Sequence, residues 1–378
     1  MKAIILVAVC AAIVGTSYGM QSPIVPVFAR EELGADFSQV GLIGMANYLP
    51  YMFAPFFVGM MLDRRNKGYI LASGVGLYLF SMLLLSTAQS VPEAMVFRAL
   101  AGVAHALFWP SCEVLISTNS PVEKRVKWIA LFIAAWVGGF MAGPLAGRLV
   151  LEFFDYRVLF QLSAATVAIA LVPAFLLVRH GRPVGTEKHR RTSLADVKHE
   201  VTSMPAVSAV LLYYAITFGV ILAVYPAYMK TAAITDQDIE LLFFAFGIAR
   251  FATLPFVHRL AMQGRSALVM AVALTATGMF LSFAFTSVWT FAAALVLIGI
   301  STSIFYPVTF NIVTRNVPLD KIGSKLGIYE TLFGMGWTAG PLAIGLSSDA
   351  FGPPSPYLAF AIIGGALAGA IALRKNGS

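Results

Sequence analysis

The feature that most constrains this chain is a series of twelve apolar runs, each long enough to cross a lipid bilayer as a helix. A membrane-spanning helix needs about 20 such residues. Runs such as Ala3–Val14 do not alternate between apolar and polar residues, as the strands of a membrane barrel do. The runs lie at about residues 3–28, 39–62, 69–88, 92–117, 127–152, 157–178, 205–229, 238–258, 266–286, 289–314, 324–348 and 356–373. We therefore predict an all-α integral membrane protein with twelve transmembrane helices.

The composition of the 378 residues agrees with this prediction. Apolar residues make up 59% and charged residues 12%, and the mean hydropathy is +0.82. Such a chain is not typical of a soluble enzyme or of a disordered protein. Cys10 and Cys112 both lie in apolar runs, and they do not indicate a disulfide framework.

The basic residues predict an orientation in the membrane. If the N-terminus is cytoplasmic, 20 of the 26 lysines and arginines fall on cytoplasmic segments, and only Arg30, Arg157 and Lys230 fall outside. This bias predicts that both termini are cytoplasmic, in the plasma membrane. It also accounts for the net charge of +8. A nucleic-acid partner is the weaker interpretation, since the charges are spread over seven short segments.

The chain contains an internal repeat. Residues 99–146 align without a gap with 296–343 at an offset of 197, and the pentapeptide AGPLA occurs in both copies. Pro26 and Pro226 are related similarly, at an offset of 200. We predict two pseudo-symmetric six-helix bundles, 1–178 and 205–378, joined by a cytoplasmic linker at 179–204. Paired halves of this kind are typical of alternating-access transporters.

Four short motifs follow one another in an order that resembles the major facilitator superfamily. They are Gly19-x-x-x-Pro23-x-x-Pro26, Gly59-x-x-x-Asp63-Arg64-Arg65-Asn66-Lys67, Arg98-x-x-x-Gly102 and Gly139-x-x-x-Gly143-Pro144-x-x-Gly147. The first and last resemble motifs of its twelve-span drug/proton antiporters. Asn66 stands where that superfamily usually has glycine. The resemblance implies the major facilitator fold.

The motifs also suggest structural roles. The resemblance implies that Gly59, Asp63 and Arg64 form a cytoplasmic gate that latches the two halves together; the alternative is that these charges only mark the membrane boundary. Glycines four residues apart allow close helix packing, and proline bends helices. We assign this bending and packing role to Gly139, Gly143, Pro144, Gly340 and Pro341.

Ionisable residues within the predicted spans are the main functional candidates, because charge is costly in lipid. Arg98, His105, Trp109 and Glu113 fall on one narrow face of span 4, which predicts an internal cavity. Glu113, Arg98 and Glu330 are the candidates for proton coupling. For the span 4 residues, a structural role in polar contacts between helices is as good an interpretation as a role in proton handling. Glu240 is expected near the outer mouth of span 8.

A second set of residues is expected to line the substrate cavity. Arg250 has no acid four residues to either side, so it could bind a substrate carboxylate. The alternative is that Arg250 pairs with Glu330 or with a backbone carbonyl. If spans 1, 4, 7 and 10 border the cavity, the best aromatic candidates are Tyr18, Trp109 and Tyr306, with His105 beside them.

These observations favour a secondary active transporter over the other classes of membrane protein. The sequence has no H-E-x-x-H, P-loop or G-x-S-x-G motif and no metal-binding histidine spacing, so neither an enzyme nor a cofactor is expected. It has no filter-like loop of a channel. We expect proton-coupled export of amphiphilic compounds by a monomer in the bilayer. The alternatives are an organic anion symporter and an uncoupled facilitator.

Overall fold

The computed structural model describes residues 1–121, 124–181, 205–314 and 319–373. Within these ranges the chain forms α-helices and two short 3₁₀ turns, and no β-strand. The α-helices are α1 (Lys2–Gln21), α2 (Val25–Glu31), α3 (Phe37–Arg64), α4 (Lys67–Leu85), α5 (Val91–Asn119), α6 (Arg125–Leu151), α7 (Tyr156–Leu177), α8 (Pro205–Ala223), α9 (Tyr225–Thr231), α10 (Asp236–Thr253), α11 (Val257–Met262), α12 (Arg265–Ala284), α13 (Val288–Thr314), α14 (Leu319–Phe351) and α15 (Ser355–Leu373).

These helices make twelve crossings of the bundle. The first crossing is α1 continued by α2, and the seventh is α8 continued by α9, with Pro26 and Pro226 in the first turn after each break. A 3₁₀ turn, Leu254–Phe256, joins α10 to α11. Ten crossings have the length and hydropathy of a membrane span, and the other two are the long helices α3 and α14. The predicted all-α fold is confirmed.

The crossings pack as two groups. In the first, α1 packs against α6 and α7, while α5 packs against α3 and α4; in the second, α14 packs against α8, and α12 packs against α13 and α15. The groups meet where α3 packs against α14 and α6 against α10. We call the groups the first half (α1–α7) and the second half (α8–α15). Residues 182–204 of the predicted linker lie outside the described residues.

Glycines allow α1 and α6 to pack with their backbones in contact. A methyl group at Gly139 would meet the carbonyl oxygen of Ala12, and one at Gly143 would meet that of Thr16. In the second half, a methyl group at Gly340 would lie 3.0 Å from the carbonyl oxygen of Ile216 on α8. The motif glycines therefore lie at helix contacts. Pro144 and Pro341 lie inside α6 and α14, as predicted.

The bundle has two different ends. We call one the loop end, because it carries the short connections 32–36, 86–90, 152–155, 232–235, 285–287 and 352–354. The other, which we call the termini end, carries the start of α1 at Lys2 and the end of α15 at Leu373. Helices α3, α5, α7 and α10, which start at the loop end, have side-chain caps on their first turns, from Asp36, Ser90, Asp155 and Thr235. These caps satisfy backbone N–H groups that have no partner within the helix.

Candidate functional site

A buried polar chain runs through the first half. Arg98 of α5 is 4% exposed, and its Nη1 donates to Oε1 of Gln21 on α1 at 3.1 Å. Gln21 Nε2 donates in turn to the hydroxyl of Tyr78 on α4 at 3.3 Å. No described acid forms a salt bridge with Arg98, and its Nε has no hydrogen-bond partner. The guanidinium therefore lies in a neutral, hydrogen-bonding environment.

His105 lies two turns further along α5, against aromatic rings. Its ring is edge-on to Tyr18 at 4.9 Å between centroids and lies 4.7 Å from Tyr78. The side chain is 8% exposed, and its Nε2 has no hydrogen-bond partner among the described residues. Trp109, one turn later, packs 5.0 Å from Trp136 of α6. The structure thus brings Tyr18, His105 and Trp109 together in one cluster. Their place in a substrate cavity stays a prediction.

Glu113 differs from the other residues of the predicted span 4 face. Arg98 and His105 are buried and Trp109 is half-buried, but the Glu113 side chain is exposed. It is the member of the four nearest the termini end. Its coupling role stays a prediction.

Arg250 of α10 lies among three phenylalanines drawn from both halves. Its guanidinium carbon is 5.7 Å from the ring centroid of Phe140, 5.0 Å from that of Phe218 and 5.6 Å from that of Phe246. Among the described residues, no carboxylate or carbonyl accepts a hydrogen bond from its side chain, and its Nε has no partner there. Attraction to aromatic faces does not use the N–H groups of the guanidinium, so these donors remain available to bind an anion.

Six aromatic rings form a closed circuit across both halves, which we call the aromatic belt. In order, the rings are Tyr18, Phe140, Phe246, Phe218, Trp337 and Tyr48. The centroids of successive rings are 6.1, 6.3, 6.5, 5.3 and 5.0 Å apart. A contact of 3.3 Å between the hydroxyls of Tyr18 and Tyr48 closes the circuit.

The internal repeat relates the two halves of the belt. The offset of 200 pairs Tyr18 with Phe218, and the offset of 197 pairs Phe140 with Trp337. The remaining rings, Tyr48 and Phe246, are 198 residues apart. Exchanging the partners of each pair leaves the order of the rings around the circuit unchanged. The belt is therefore a pseudo-two-fold feature, to which each half contributes three rings.

At the loop end, α14 of the second half caps α3 of the first. Asp349 Oδ1 accepts from the backbone N–H of Phe37 at 3.1 Å, and Oδ2 accepts from that of Ser38 at 2.7 Å. A carboxylate at a helix N-terminus is favoured by the unpaired N–H groups and by the helix dipole. This contact joins the two halves.

A second contact at the loop end joins α6 and α7 to α10. The Tyr156 hydroxyl donates to Asp236 at 2.6 Å, and Gln237 Nε2 donates to the carbonyl of Leu151 at 2.8 Å. Arg148 lies beside them, 3.5 Å from the carbonyl of Gln237, and forms an i, i+4 ion pair with Glu152 at 3.8 Å. Every hydrogen bond described between the halves lies at this end. The loop end is therefore closed in this structure.

Much of the predicted gate lies outside the described side chains. The backbone of Gly59 and Asp63 is placed within α3, but the Asp63 side chain lies outside the described residues. Arg64, the last residue of α3, is exposed. Asn66 caps α4 by accepting from Gly68 N–H, and it donates to the carbonyl of Val178. The latch at Asp63 stays a prediction.

Two further predicted residues, Tyr306 and Glu330, also have side chains outside the described set. Conversely, the burial of one acid was not predicted from the sequence. Glu240 of α10 lies near the end of its span, where it was expected, but it is fully buried. Five of the six belt rings were also not predicted as site residues. The offsets of 197 and 200 could have found two ring pairs, because they align aromatic residues inside predicted spans.

The two-half helical bundle, with a shared aromatic belt at its centre, defines a membrane transporter of the alternating-access class. The model of the Major Facilitator Superfamily matches residues 7–231 and 206–376, and the chain belongs to this superfamily. The predicted family, multi-pass membrane location and transporter class are thereby confirmed.

The chain is similar to several named transporters. It is 24% identical to the quinolone resistance protein NorA of Staphylococcus aureus over 369 residues, covering 93% of this chain and 91% of that protein. It is 24% identical to the multidrug resistance protein MdtG of Salmonella arizonae over 355 residues, covering 89% and 86%. The nucleoside transporter NupG superposes with a TM-score of 0.79 at 12% identity and covers 98% of both chains. The human organic anion transporter TETRAN gives 0.70 at 14%, covering 98% and 99%.

Proposed function

We propose that this transporter exports amphiphilic aromatic compounds in exchange for protons. The aromatic belt is the observation that carries the proposal. Five of its rings are buried in this structure and Trp337 is half-buried. Where the halves separate and a solute reaches these rings, their flat apolar faces bind planar groups by stacking without fixed hydrogen-bond partners. A surface of that kind accepts solutes of varied shape. The printed names of two relatives, a quinolone resistance protein and a multidrug resistance protein, support the same substrate class.

We assign the loop end to the outside of the cell, from the distribution of basic residues. The closed loop end then corresponds to a state that accepts solute from the cytoplasm. Arg250 and Trp337 are only half-buried, and Arg250 follows the belt residue Phe246 by one turn toward the termini end of α10. We place the solute there, between the halves, with Tyr18, His105 and Trp109 beside it in the first half. Tyr306 is assigned to the same wall on sequence alone.

Proton exchange is the second part of the proposal. Glu113, Arg98 and Glu330 remain its candidates from the sequence. His105 lies between Arg98 and Glu113 on α5, and its free Nε2 offers a site for a proton. Direct competition between proton and solute at these groups would be sufficient for exchange.

Arg250 supports a second candidate function, the symport of organic anions with protons. Its guanidinium has no acidic partner among the described residues, and the other buried arginine, Arg98, is bonded to a neutral amide. Both would favour a carboxylate over an organic cation. The printed title of one structural neighbour, an organic anion transporter, agrees with this alternative.

Transport by the purified protein in liposomes tests both functions. The probes are ethidium, a planar aromatic cation, and fluorescein, a planar aromatic anion, each with an imposed pH gradient. We expect Trp337→Ala to weaken the apparent affinity about fivefold, because one aromatic contact contributes about 1 kcal/mol. The exposed ring of Phe175 on α7 provides the control, since Phe175→Ala should leave the affinity unchanged.

The two candidate functions predict different effects at Arg250. If the substrate is an anion, Arg250→Gln weakens fluorescein binding and leaves ethidium binding unchanged. If export of mixed amphiphiles is correct, Trp337→Ala weakens both probes. Failure of the pH gradient to drive either dye would contradict both functions.

A further inference from the structure

Glu240 is the most deeply buried acid that the structure describes. It lies on the second turn of α10, four residues after Asp236, and its exposed fraction is 0%. Neither carboxylate oxygen has a hydrogen-bond partner among the residues that the structure describes. An ionised carboxylate in this position would be desolvated without compensation, which is strongly unfavourable. Burial of this kind favours the neutral, protonated carboxyl.

The carboxyl group of Glu240 is enclosed by helices of the first half. It packs directly against Gly147 of α6, where a methyl group would lie 2.8 Å from Glu240 Cδ. The carbonyl oxygen of Met20 on α1 lies 3.1 Å from the same methyl position. Gly147 is the last glycine of the α6 motif. The absence of its side chain leaves the space that the carboxyl group fills across the boundary between the halves.

The charged groups around this site are already engaged with other partners. Asp236 on α10 accepts from Lys230 Nζ of α9 at 2.9 Å and from the Tyr156 hydroxyl of α7. On α6, Arg148 contacts Glu152 and the carbonyl of Gln237. Behind Met20 on α1, Gln21 is bonded to Arg98. Within the described residues, none of these cations forms a salt bridge with Glu240.

We propose that Glu240 is a proton-binding site that holds a proton while α6 and α10 are closed at the loop end and releases it to water when they separate. Closing consumes one proton and converts the carboxylate into the neutral carboxyl; opening reverses this. The inference deepens the proposed function, because it names a group through which external protons favour the closed loop end. The proton is taken from and returned to the same side, so Glu240 sets the balance between the two states and does not itself carry a proton across. The inference rests on that function's requirement that the halves separate at the loop end. With the loop end outside, external acid drives the return to the inward-facing state.

The test measures conformation without any solute. Spin labels are attached at Phe153→Cys and Phe351→Cys, two exposed loop-end positions on opposite halves, with Cys10 and Cys112 replaced by alanine. Distances are recorded by double electron–electron resonance in lipid nanodiscs across a pH series. One linked proton changes the ratio of open to closed forms by up to about tenfold per pH unit. We expect the open fraction to rise with pH.

The variant Glu240→Gln carries a permanently neutral side chain of the same shape. We expect it to remain closed at every pH. The matched control is Glu152→Gln, which removes a half-exposed acid at the same end and should retain the wild-type dependence. Equal pH dependence in wild type and Glu240→Gln, or pH-independent distances in wild type, would overturn the proposal.

Infrared spectroscopy supplies a second readout that does not depend on the labels. At neutral pH the closed wild-type protein should show the C=O stretch of a protonated carboxyl, and Glu240→Gln should lack that band. A band that persists in Glu240→Gln would assign the proton to another acid. Neither measurement uses a dye, so pH-dependent closure without dye transport would contradict the proposed substrates and leave this site standing. Dye transport with pH-independent closure would contradict this proton site and leave the proposed substrates standing.

Discussion

Arg250 and Glu240 lie on the same helix, but their surroundings stabilise the charge of the arginine and not that of the acid. The guanidinium of Arg250 faces three aromatic rings, whose electron-rich faces attract a cation. The carboxyl of Glu240 faces a glycine and a backbone carbonyl, neither of which stabilises an anion. The arginine can therefore remain charged where it lies, whereas the acid is favoured in its neutral form.

The contact between Gly147 and Glu240 yields a prediction at the residue scale. The methyl group of Gly147→Ala would overlap the carboxyl of Glu240, so we expect α6 and α10 to be pushed apart. Overpacking of this kind costs about 1–3 kcal/mol. The open fraction at the loop end should rise, as measured with the same pair of spin labels.

A double variant tests whether the carboxyl is the cause. Gly147→Ala combined with Glu240→Ala should recover much of the closed population, because the colliding group is gone. The control is Gly76→Ala, since a methyl group there meets nothing within 4 Å. A double variant as open as Gly147→Ala alone would contradict this prediction.

A contact between two residues can be derived from the sequence where spacing along one helix decides it. The pair of Arg148 and Glu152 follows from their i, i+4 spacing and is present. The state of Glu240 could not be predicted in this way. Its burial depends on a glycine that another helix brings against it, and spacing within span 8 contains no information about that helix.

At the scale of single elements, hydropathy predicted most of the fold. The run 39–62 became α3 and the run 289–314 became α13, each within two residues of the observed bounds. The bilayer accounts for this agreement, since an apolar run of that length satisfies its backbone only as a helix. The breaks after Gln21 and Ala223 were not predicted as breaks, although the prolines that follow them had been aligned by the repeat.

The start of α3 provides a prediction at this scale. Asp36 accepts from Gln39 N–H at 2.7 Å and from the hydroxyl of Ser38, and these bonds lower the pKa of its carboxyl below the usual value, the Ser38 bond most of all. We expect Asp36→Ala to destabilise the protein by about 1 kcal/mol, while Asp36→Asn, which still caps a helix, changes little. Thermal melting of the purified protein measures the difference.

The pH dependence of this cap has a definite sign. A carboxyl with a lowered pKa stabilises the folded state at neutral pH, and that contribution is lost as the pH falls through its lowered value. The stability difference between wild type and Asp36→Asn should therefore change on acidification, with the wild type losing more. Parallel melting curves for the two proteins at all pH values would contradict this expectation.

At the scale of the whole molecule, the internal repeat predicted the two halves but not the surface between them. Tyr18 was the one belt ring chosen as a site residue. The others were not chosen because a ring-to-ring contact depends on the rotation of each helix about its axis. Apolar residues surround every span, so hydropathy does not determine that rotation. Only the packed bundle shows which rings meet.

The orientation of the whole molecule can be tested by labelling from one side of the membrane. Phe153 at the loop end is 77% exposed, and Met262 at the termini end is 70% exposed, so cysteines at the two positions are comparably accessible. With the loop end outside, a membrane-impermeant maleimide added to intact cells should label Phe153→Cys and not Met262→Cys. Permeabilised cells serve as the control, since both should then react. The opposite pattern in intact cells would invert the topology.

The belt consists of two arcs, and each arc belongs to one half. Tyr48, Tyr18 and Phe140 form the first arc; Phe246, Phe218 and Trp337 form the second. When the two halves move relative to each other, only the two ring contacts that link one arc to the other need to break. A solute arriving from either side of the membrane then meets the same two arcs, so the belt itself has no preferred direction. Without a proton gradient, such a carrier would only equalise the solute concentrations on the two sides.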